Sequence, residues 1–386
     1  MSTHATSSSS SAIALLSAVV LSLCTPGCGR AQGAETFPDA RQRREAAIEV
    51  REVARSWSDT LLTEVTGLDV DSRGRIYVGD WMAARVAVLD STGTLVRTLG
   101  RKGLGPGEFR SVRGLQVLPG DSLMVYDPSA ARLSVFPPDG DQPAYTINLG
   151  ATLGGPVPFL IHRTPTNDAF VALFRPGFMG GDTTTRRDRL QVLNRDGTPR
   201  AEPFRTFPSK GFLRVGQAGS FSVTPDPFGS EGLYAFGRGG EVHYLWNDSL
   251  HVETYDLAGG RTRGFRVDYT PPEVTDADVE AAAAEFSGQA AMFREALQDS
   301  APPRWPAARA MLSDADGRLW IGLHGPASEP SEWASFDADG TYRGSVFLPS
   351  GVEVRAFRGN IVYGVQFDAA DVPQVVVYRM APPAGR

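Results

Sequence analysis

Four histidines lie beyond the N-terminal stretch: His162, His243, His251 and His324. A metal centre needs imidazoles or carboxylates converging on one point, so their use depends on where the chain places them. No catalytic signature accompanies them. The sequence has no Gly-x-Ser-x-Gly elbow, no Gly-Lys-Ser/Thr phosphate loop and no His-Glu-x-x-His pair. Asp69-Val-Asp71 and Asp314-Ala-Asp316-Gly317 carry paired carboxylates. They lack the five ligand positions and closing Glu of a calcium loop, and they read as turn formers. The only cysteines are Cys24 and Cys28. The body of the chain therefore offers no disulfide, no cysteine metal site and no thiol nucleophile.

The cations are almost all arginine, with Lys102 and Lys210 the only lysines. Aligning three self-similar stretches puts Thr66, Arg113 and Arg309 at one position, just before an apolar run; Arg355 lies in a comparable run. If those runs surround one axis, the arginines share an opening. An arginine cluster poor in acids attracts carboxylate or phosphate through bidentate hydrogen bonds. The competing reading is that each arginine pairs with a neighbouring acid or reaches out to water. Asp80 and Arg85, and likewise Asp127 and Arg132, stand five residues apart and read as structural pairs bracing a hairpin.

The elements that must position these residues come from internal repetition. Gly67–Gly79 and Met311–Gly322 follow one pattern: an apolar stretch, an Asp/Gly turn, and a second apolar stretch with an aromatic. Asp-Gly favours tight hairpins because both turn residues must tolerate positive φ; it recurs at Asp139-Gly140, Asp196-Gly197 and Asp339-Gly340. Four short antiparallel strands in about 40–50 residues make one propeller blade. Six such units follow one another. The fourth is expected to use Ser220–Thr224, Leu233–Phe236, Val242–Trp246 and Thr262–Val267. The sixth lacks a last strand, and Pro382-Pro383 bars the tail from supplying it. The strand-like Ala47–Val53 is then expected to complete the last blade and close the ring, which removes the open sheet edges.

The expectation is an all-β, six-bladed β-propeller of four-stranded antiparallel blades over residues 34–386, closed by an N-terminal strand. One helical insertion, 272–306, falls between blades 4 and 5. There Thr275 can cap a helix, and Val279, Ala283, Phe286, Ala290, Phe293 and Leu297 form one apolar stripe. Gly288 weakens its middle by about 1 kcal/mol, and Pro302-Pro303 stops it. It reads either as an insertion packed against blades four and five or as a lid over one face. On this plan His162 ends an innermost strand, His324 ends a second strand near the opposite face, and His243 sits on a third strand. They do not converge, so no metal and no other cofactor is expected.

Leu99-Gly-Arg-Lys-Gly-Leu-Gly-Pro-Gly-Glu-Phe109 and the Asp-x-x-Gly-Arg-Ile-Tyr-Val phrase at Asp71–Val78 resemble the six-bladed β-propeller proteins related to NHL repeats. The resemblance is clearest over the first two blades. It implies the fold, and it implies export from a bacterial cell. It leaves function open, since such propellers include binding scaffolds, lactonase-like hydrolases and amidating lyases.

Residues 1–33 read as a signal peptide or lipoprotein leader. Ala12–Leu23 is an apolar run too short to span a bilayer and suited to a signal-peptide core. Cys28, preceded by Gly27, offers a lipidation site; Ala31-Gln32-Gly33 offers an ordinary cleavage site. A lipid at Cys28 would be the chain's one link to a membrane. The net charge of −6 and the absence of a basic stripe argue against nucleic acid. The 42 glycines and 28 prolines make up roughly 18% of the chain, against about 12% in average usage, which disfavours a helical bundle. The leading expectation is an exported, monomeric, non-enzymatic propeller. It binds a partner protein or a small, anionic ligand at the channel mouth through Arg113, Arg309, Arg355 and Thr66. The alternative is a metal-dependent hydrolase or lyase of the lactonase-like propeller kind.

Overall fold

The computed structural model describes residues 37–56, 62–165, 168–177, 186–200, 202–217, 220–237, 239–286, 288–325 and 329–381. The chain divides into two units, Met1–Ala34 and Glu35–Arg386. The expected leader and Cys28 lie outside the described residues.

The second unit opens with helix α1 (Ala40–Glu45) and strand β1 (Val50–Arg55). Blade 1 follows as β2 (Val65–Val70), β3 (Ile76–Asp80), β4 (Arg85–Leu89) and β5 (Leu95–Leu99). Blade 2 is β6 (Gly114–Val117), β7 (Leu123–Asp127), β8 (Arg132–Phe136) and β9 (Tyr145–Asn148), and the short helix α2 (Leu149–Leu153) leads on. Blade 3 is β10 (Leu160–Arg163), β11 (Ala169–Phe174), β12 (Arg187–Asn194) and β13 (Arg205–Pro208). A separate two-stranded hairpin, β14 (Phe212–Gln217) with β15 (Ser220–Pro225), precedes blade 4. Blade 4 is β16 (Gly232–Phe236), β17 (Val242–Trp246), β18 (Leu250–Tyr255) and β19 (Arg261–Val267). Helices α3 (Asp276–Ala284) and α4 (Ala290–Ser300) come next. Blade 5 is β20 (Ala308–Ser313), β21 (Leu319–Leu323), β22 (Ser331–Phe336) and β23 (Tyr342–Leu348). Blade 6 is β24 (Glu353–Arg358), β25 (Ile361–Phe367) and β26 (Pro373–Met380), and its fourth strand is β1, in the order β1-β26-β25-β24.

The ring is thus closed as expected. Val50 stands opposite Met380 and Arg55 opposite Val376. The closing strand begins slightly later than Ala47 because Ile48 is already engaged: it bridges Val346 of blade 5 in parallel, with its N–H on the Ser345 carbonyl at 2.8 Å. Phe37 continues this strap, packing on Tyr269, Phe336 and Tyr342.

The core consists of six apolar layers, one between each pair of neighbouring blades. Period-two alternation makes this possible: along β3, Ile76 and Val78 face blade 6 while Tyr77 faces blade 2. The layer between blades 5 and 6 is aromatic. Phe357 stacks on Trp320 at 4.1 Å between ring centroids and meets the Trp333 edge at 5.5 Å.

Blade 4 departs from the sequence expectation. Ser220–Thr224 is not its inner strand but belongs to the β14–β15 hairpin. The blade instead gains β18, whose residues alternate buried and half-buried from Leu250 to Glu253. Leu233–Phe236 and Val242–Trp246 therefore each move inward by one place while Thr262–Val267 stays outermost, and His243 stands on the second strand rather than the third.

The single expected helix is also divided. Gly288 adopts a left-handed φ of +78°, and the chain folds back so that Phe286 and Phe293 stack at 3.7 Å. Thr275 and Asp278 do form the N-terminal capping box. The apolar stripe survives the break, and Val279, Ala283, Phe293 and Leu297 bury against Val215 and Phe228. The insertion packs mainly on the β14–β15 hairpin and the turn after it, and of the two blades expected to receive it, it meets blade 5 through the stack of Trp305 on His324.

Topology decides where these additions stand. First strands of neighbouring blades touch one another, β2 with β6 and β24, and β20 with β16 and β24, so they surround the axis. Each blade is a four-strand meander. Its first strand starts, and its last strand ends, on the same face. Every connection between blades therefore lies on that linker face, including the segments 209–231 and 268–307 that carry the hairpin and the helices.

Candidate functional site

The residues proposed from sequence sit near the linker face, at the starts of first strands. Thr66, Arg309 and Arg355 are each the extra residue of a β-bulge, between Val65 and Gly67, Ala308 and Ala310, and Val354 and Ala356. Arg113 precedes β6, with its N–H on the Tyr126 carbonyl at 3.0 Å. Bulges re-aim side chains, and here several are turned to the next blade. Arg355 Nη2 donates to the Val65 carbonyl at 3.2 Å. The Thr66 hydroxyl donates to the Val112 carbonyl, and Arg113 Nε donates to the Phe159 carbonyl at 3.1 Å. Asn247 continues the belt by donating to the Ala308 carbonyl at 2.8 Å.

The four residues differ in what remains free. Arg355 pairs with Glu353 at 2.6 Å, and Thr66 is spent on its carbonyl. Arg113 has no ion pair among the described residues. It lies over the Phe159 ring at 4.2 Å, with Arg175 over the same ring at 4.6 Å. Burial, and then the charge of Arg175, lowers the Arg113 pKa. Arg309 donates Nη1 to the Leu323 carbonyl at 2.7 Å and lies over Trp333. Its Nη2 is buried with no hydrogen-bond partner, and burial lowers its pKa.

Arg309 lines a cleft of about 950 Å³ on the linker face. Tyr269 borders it from the segment just after β19, Trp305 from the insertion, His324 from the end of β21, and Phe37 and Arg43 from the N-terminal strap. The Trp305 and His324 rings stack at 5.0 Å. Burial, and then the charges of Arg309 and Lys210, pushes the His324 pKa down to about 4, so its ring is neutral at pH 7.

The other histidines stand elsewhere. His162 lies at the far end of its inner strand, 3.3 Å from Gln116 and stacked on Phe236 at 4.5 Å. Burial, and then Arg358, lowers its pKa to about 4. His243 is buried in blade 4 against Thr254 at 2.9 Å, with its pKa lowered to about 4 chiefly by burial. His251 meets Arg266 at 3.3 Å. No group of three or more metal-ligating side chains occurs among the described residues.

The paired Asp motifs resolve into scaffolding. Asp71 Oδ1 accepts the N–H groups of Arg73 and Arg75, both at 2.9 Å. Asp314 Oδ1 accepts those of Asp316 and Arg318, and its Oδ2 accepts the Trp320 indole at 2.9 Å. Asp69 does something else: it accepts the Val117 N–H at 2.8 Å and pairs with Arg358, joining blades 1, 2 and 6. Asp80 and Arg85 approach to 3.8 Å. The Asp127–Arg132 brace is not made, because Asp127 is taken by backbone N–H groups and the Ser111 hydroxyl. Arg132 instead holds the Leu104 and Glu108 carbonyls of the inter-blade linker.

Residues 58–154, which span the first two blades, match a family model described as 6-bladed beta-propeller. No curated protein matches the chain. Among solved structures, a Bacteroides fragilis protein described as exported aligns with a TM-score of 0.50 at 10% identity, covering 90% of this chain and 98% of that one. A gluconolactonase from Xanthomonas campestris aligns at 0.47 and 12% identity, covering 90% and 94%. A streptogramin B lyase aligns at 0.45 and 12% identity, covering 87% and 98%. At such identities the likeness is one of fold. By blade count, strand order and the matched segment, this chain is a six-bladed β-propeller.

Proposed function

We propose that this propeller is an exported, monomeric binding protein that takes a small ligand, or the exposed group of a partner, with a carboxylate or phosphate on its linker face. The observation that carries this reading is the state of Arg309: a guanidinium in a cleft, with one buried donor unfilled and no acid paired to it among the described residues. Arg113, also without an ion pair, is the second anchor at the same level of the ring. Binding rather than catalysis is favoured because the histidines are dispersed over separate sites and the described acids are largely committed to turns and pairs. Export rests on the leader-like residues 1–33, with Cys28 as the proposed lipidation site.

A thermal-shift screen of carboxylates and phosphates on the purified protein tests the site. A ligand found this way should lose its stabilising effect in the Arg113→Ala/Arg309→Ala double variant. An unchanged shift would overturn the assignment. Elemental analysis of the same protein addresses the hydrolase or lyase alternative, because a stoichiometric metal would favour it. Fractionation of Cys28→Ser against the native sequence separates an anchored protein from a released one.

A further inference from the structure

The charges around the blade 5 cleft narrow the ligand. Its lining contains more carboxylates than guanidiniums, which disfavours a simple multivalent anion. Most of these charges cancel internally. Arg43 pairs with Glu332 at 2.6 Å and Arg44 with Glu329 at 2.9 Å. Glu353 is taken by Arg355, and Asp39 caps α1. What remains with neither an ion pair nor a capping role is one cation, Arg309, and one carboxylate, Asp268; the exposed Asp39 keeps its charge at the α1 N-terminus. Asp268 is exposed and makes no hydrogen bond or ion pair among the described residues. Apolar surface lies beside them, from Tyr269, Trp305 and the half-exposed Phe367. A volume of about 950 Å³ is that of a small-molecule site rather than a single-ion site.

We infer that this cleft binds a short zwitterionic peptide with apolar side chains. Its terminal carboxylate sits on Arg309, its ammonium on Asp268, and its side chains lie along the aromatic wall. A carboxylate meets the Arg309 side chain where it lines the cleft, with no acid paired to it among the described residues, and a charge-assisted hydrogen bond is the strong kind. The ammonium offsets the one uncommitted acid. A phosphate or dicarboxylate would leave that acid facing a second negative charge. The inference rests on the reading of Arg309 as an anion anchor and adds to it the cationic end and the apolar body.

Calorimetry on the full chain with Phe-Phe as probe tests it. N-acetyl-Phe-Phe lacks the ammonium, Phe-Phe amide lacks the carboxylate, and inorganic phosphate and phenylacetate supply an anion alone. Phe-Phe should bind, and each blocked form should bind about tenfold or more weaker, as expected for loss of one charged hydrogen bond. In Arg309→Gln the amide penalty should vanish while the acetyl penalty remains; in Asp268→Asn the reverse should hold. Equal binding of free and blocked peptides would overturn the inference. So would Arg309-dependent binding of phenylacetate or phosphate without any binding of Phe-Phe, an outcome that leaves the anion-anchor reading standing. If no probe binds, both fail. The blocked ligands act on the native protein, so a folding defect in either variant does not mask the result.

Discussion

Arg43 of the N-terminal strap is a sensitive point in the ring. Its side chain is 5% exposed and that of its partner Glu332 13%. The guanidinium contacts the carboxylate through two donors, at 2.6 and 3.1 Å, and the Pro38 carbonyl through a third at 2.6 Å. It also lies over the Phe37 ring at 4.5 Å. Arg43→Met keeps most of the volume and removes the charge. Among the described residues, Glu332 is then left with the Ser345 hydroxyl, at 2.8 Å, as its one side-chain hydrogen-bond donor. Breaking one side of a buried pair costs about 3–5 kcal/mol, because the surviving charge stays desolvated. An effective dielectric constant of about 20 gives about 4 kcal/mol for unit charges 4 Å apart, which agrees. Urea denaturation should show this as a lower midpoint with unchanged slope. Adding Glu332→Gln should recover much of the loss, since the stranded charge is gone; the pair would then show strong coupling in a double-mutant cycle. If Arg43→Met costs less than about 1 kcal/mol, the pair is water-screened like a surface bridge, and the strap does not hold blade 5 in this way.

Starting the chain at Ser58 removes β1 and leaves β26 as an open edge; the melting temperature should fall strongly, and an unchanged one would refute closure by the N-terminal strand. His243 titrates near pH 4 when folded and near 6.5 when unfolded, so the unfolded chain binds more protons between those values and stability must fall as pH drops through that window. At pH 5 the loss is about 2 kcal/mol, and His243→Gln should flatten the fall between pH 7.5 and 5 by that amount in urea titrations. Gly288→Ala should destabilise by about 1–2 kcal/mol through its left-handed backbone, since nothing within 4 Å would obstruct the added methyl. In one unbroken helix the same change would stabilise by about 1 kcal/mol, so the sign of the midpoint shift reports whether α3 and α4 are separate.

Blades 1, 2, 5 and 6 are legible in the sequence because two local signals agree there: short apolar stretches and an Asp-containing turn between them. Closure is legible by subtraction, since Pro382-Pro383 leaves β26 without a fourth partner from the tail. Blade 4 misleads because Ser220–Thr224 has the alternation of a strand, whereas its partner Phe212–Gln217 lies upstream of the blade. The signal for β18 was present in Leu250, Val252 and Thr254 on one side and His251 and Glu253 on the other. Gly288 signals a break as readily as a weak point, and only the Phe286–Phe293 stack selects the break. The alignment of Thr66, Arg113 and Arg309 finds two bulges and their bulge-free counterpart, and Arg355, placed beside them, is a third bulge. It does not find the cleft, whose walls come from the strap, the insertion and blades 5 and 6. A missing partner, like that of Arg309, is a property of three-dimensional surroundings and leaves no local mark.

The closure by β1 has a kinetic side. Val50 pairs with Met380, so one of the first strands to be synthesised must wait for nearly the whole chain before it finds its place. Six layers of contact between consecutive blades can form as the chain lengthens, but the seal comes last, over the longest separation in the molecule. Joining distant ends carries a loop-closure entropy that grows only slowly with length, yet such non-local pairing slows folding. Until the seal forms, the β26 edge is unpaired and invites association with other chains. The chain is thus open for longest during its own synthesis and becomes hard to unravel only once its last strand has met its first.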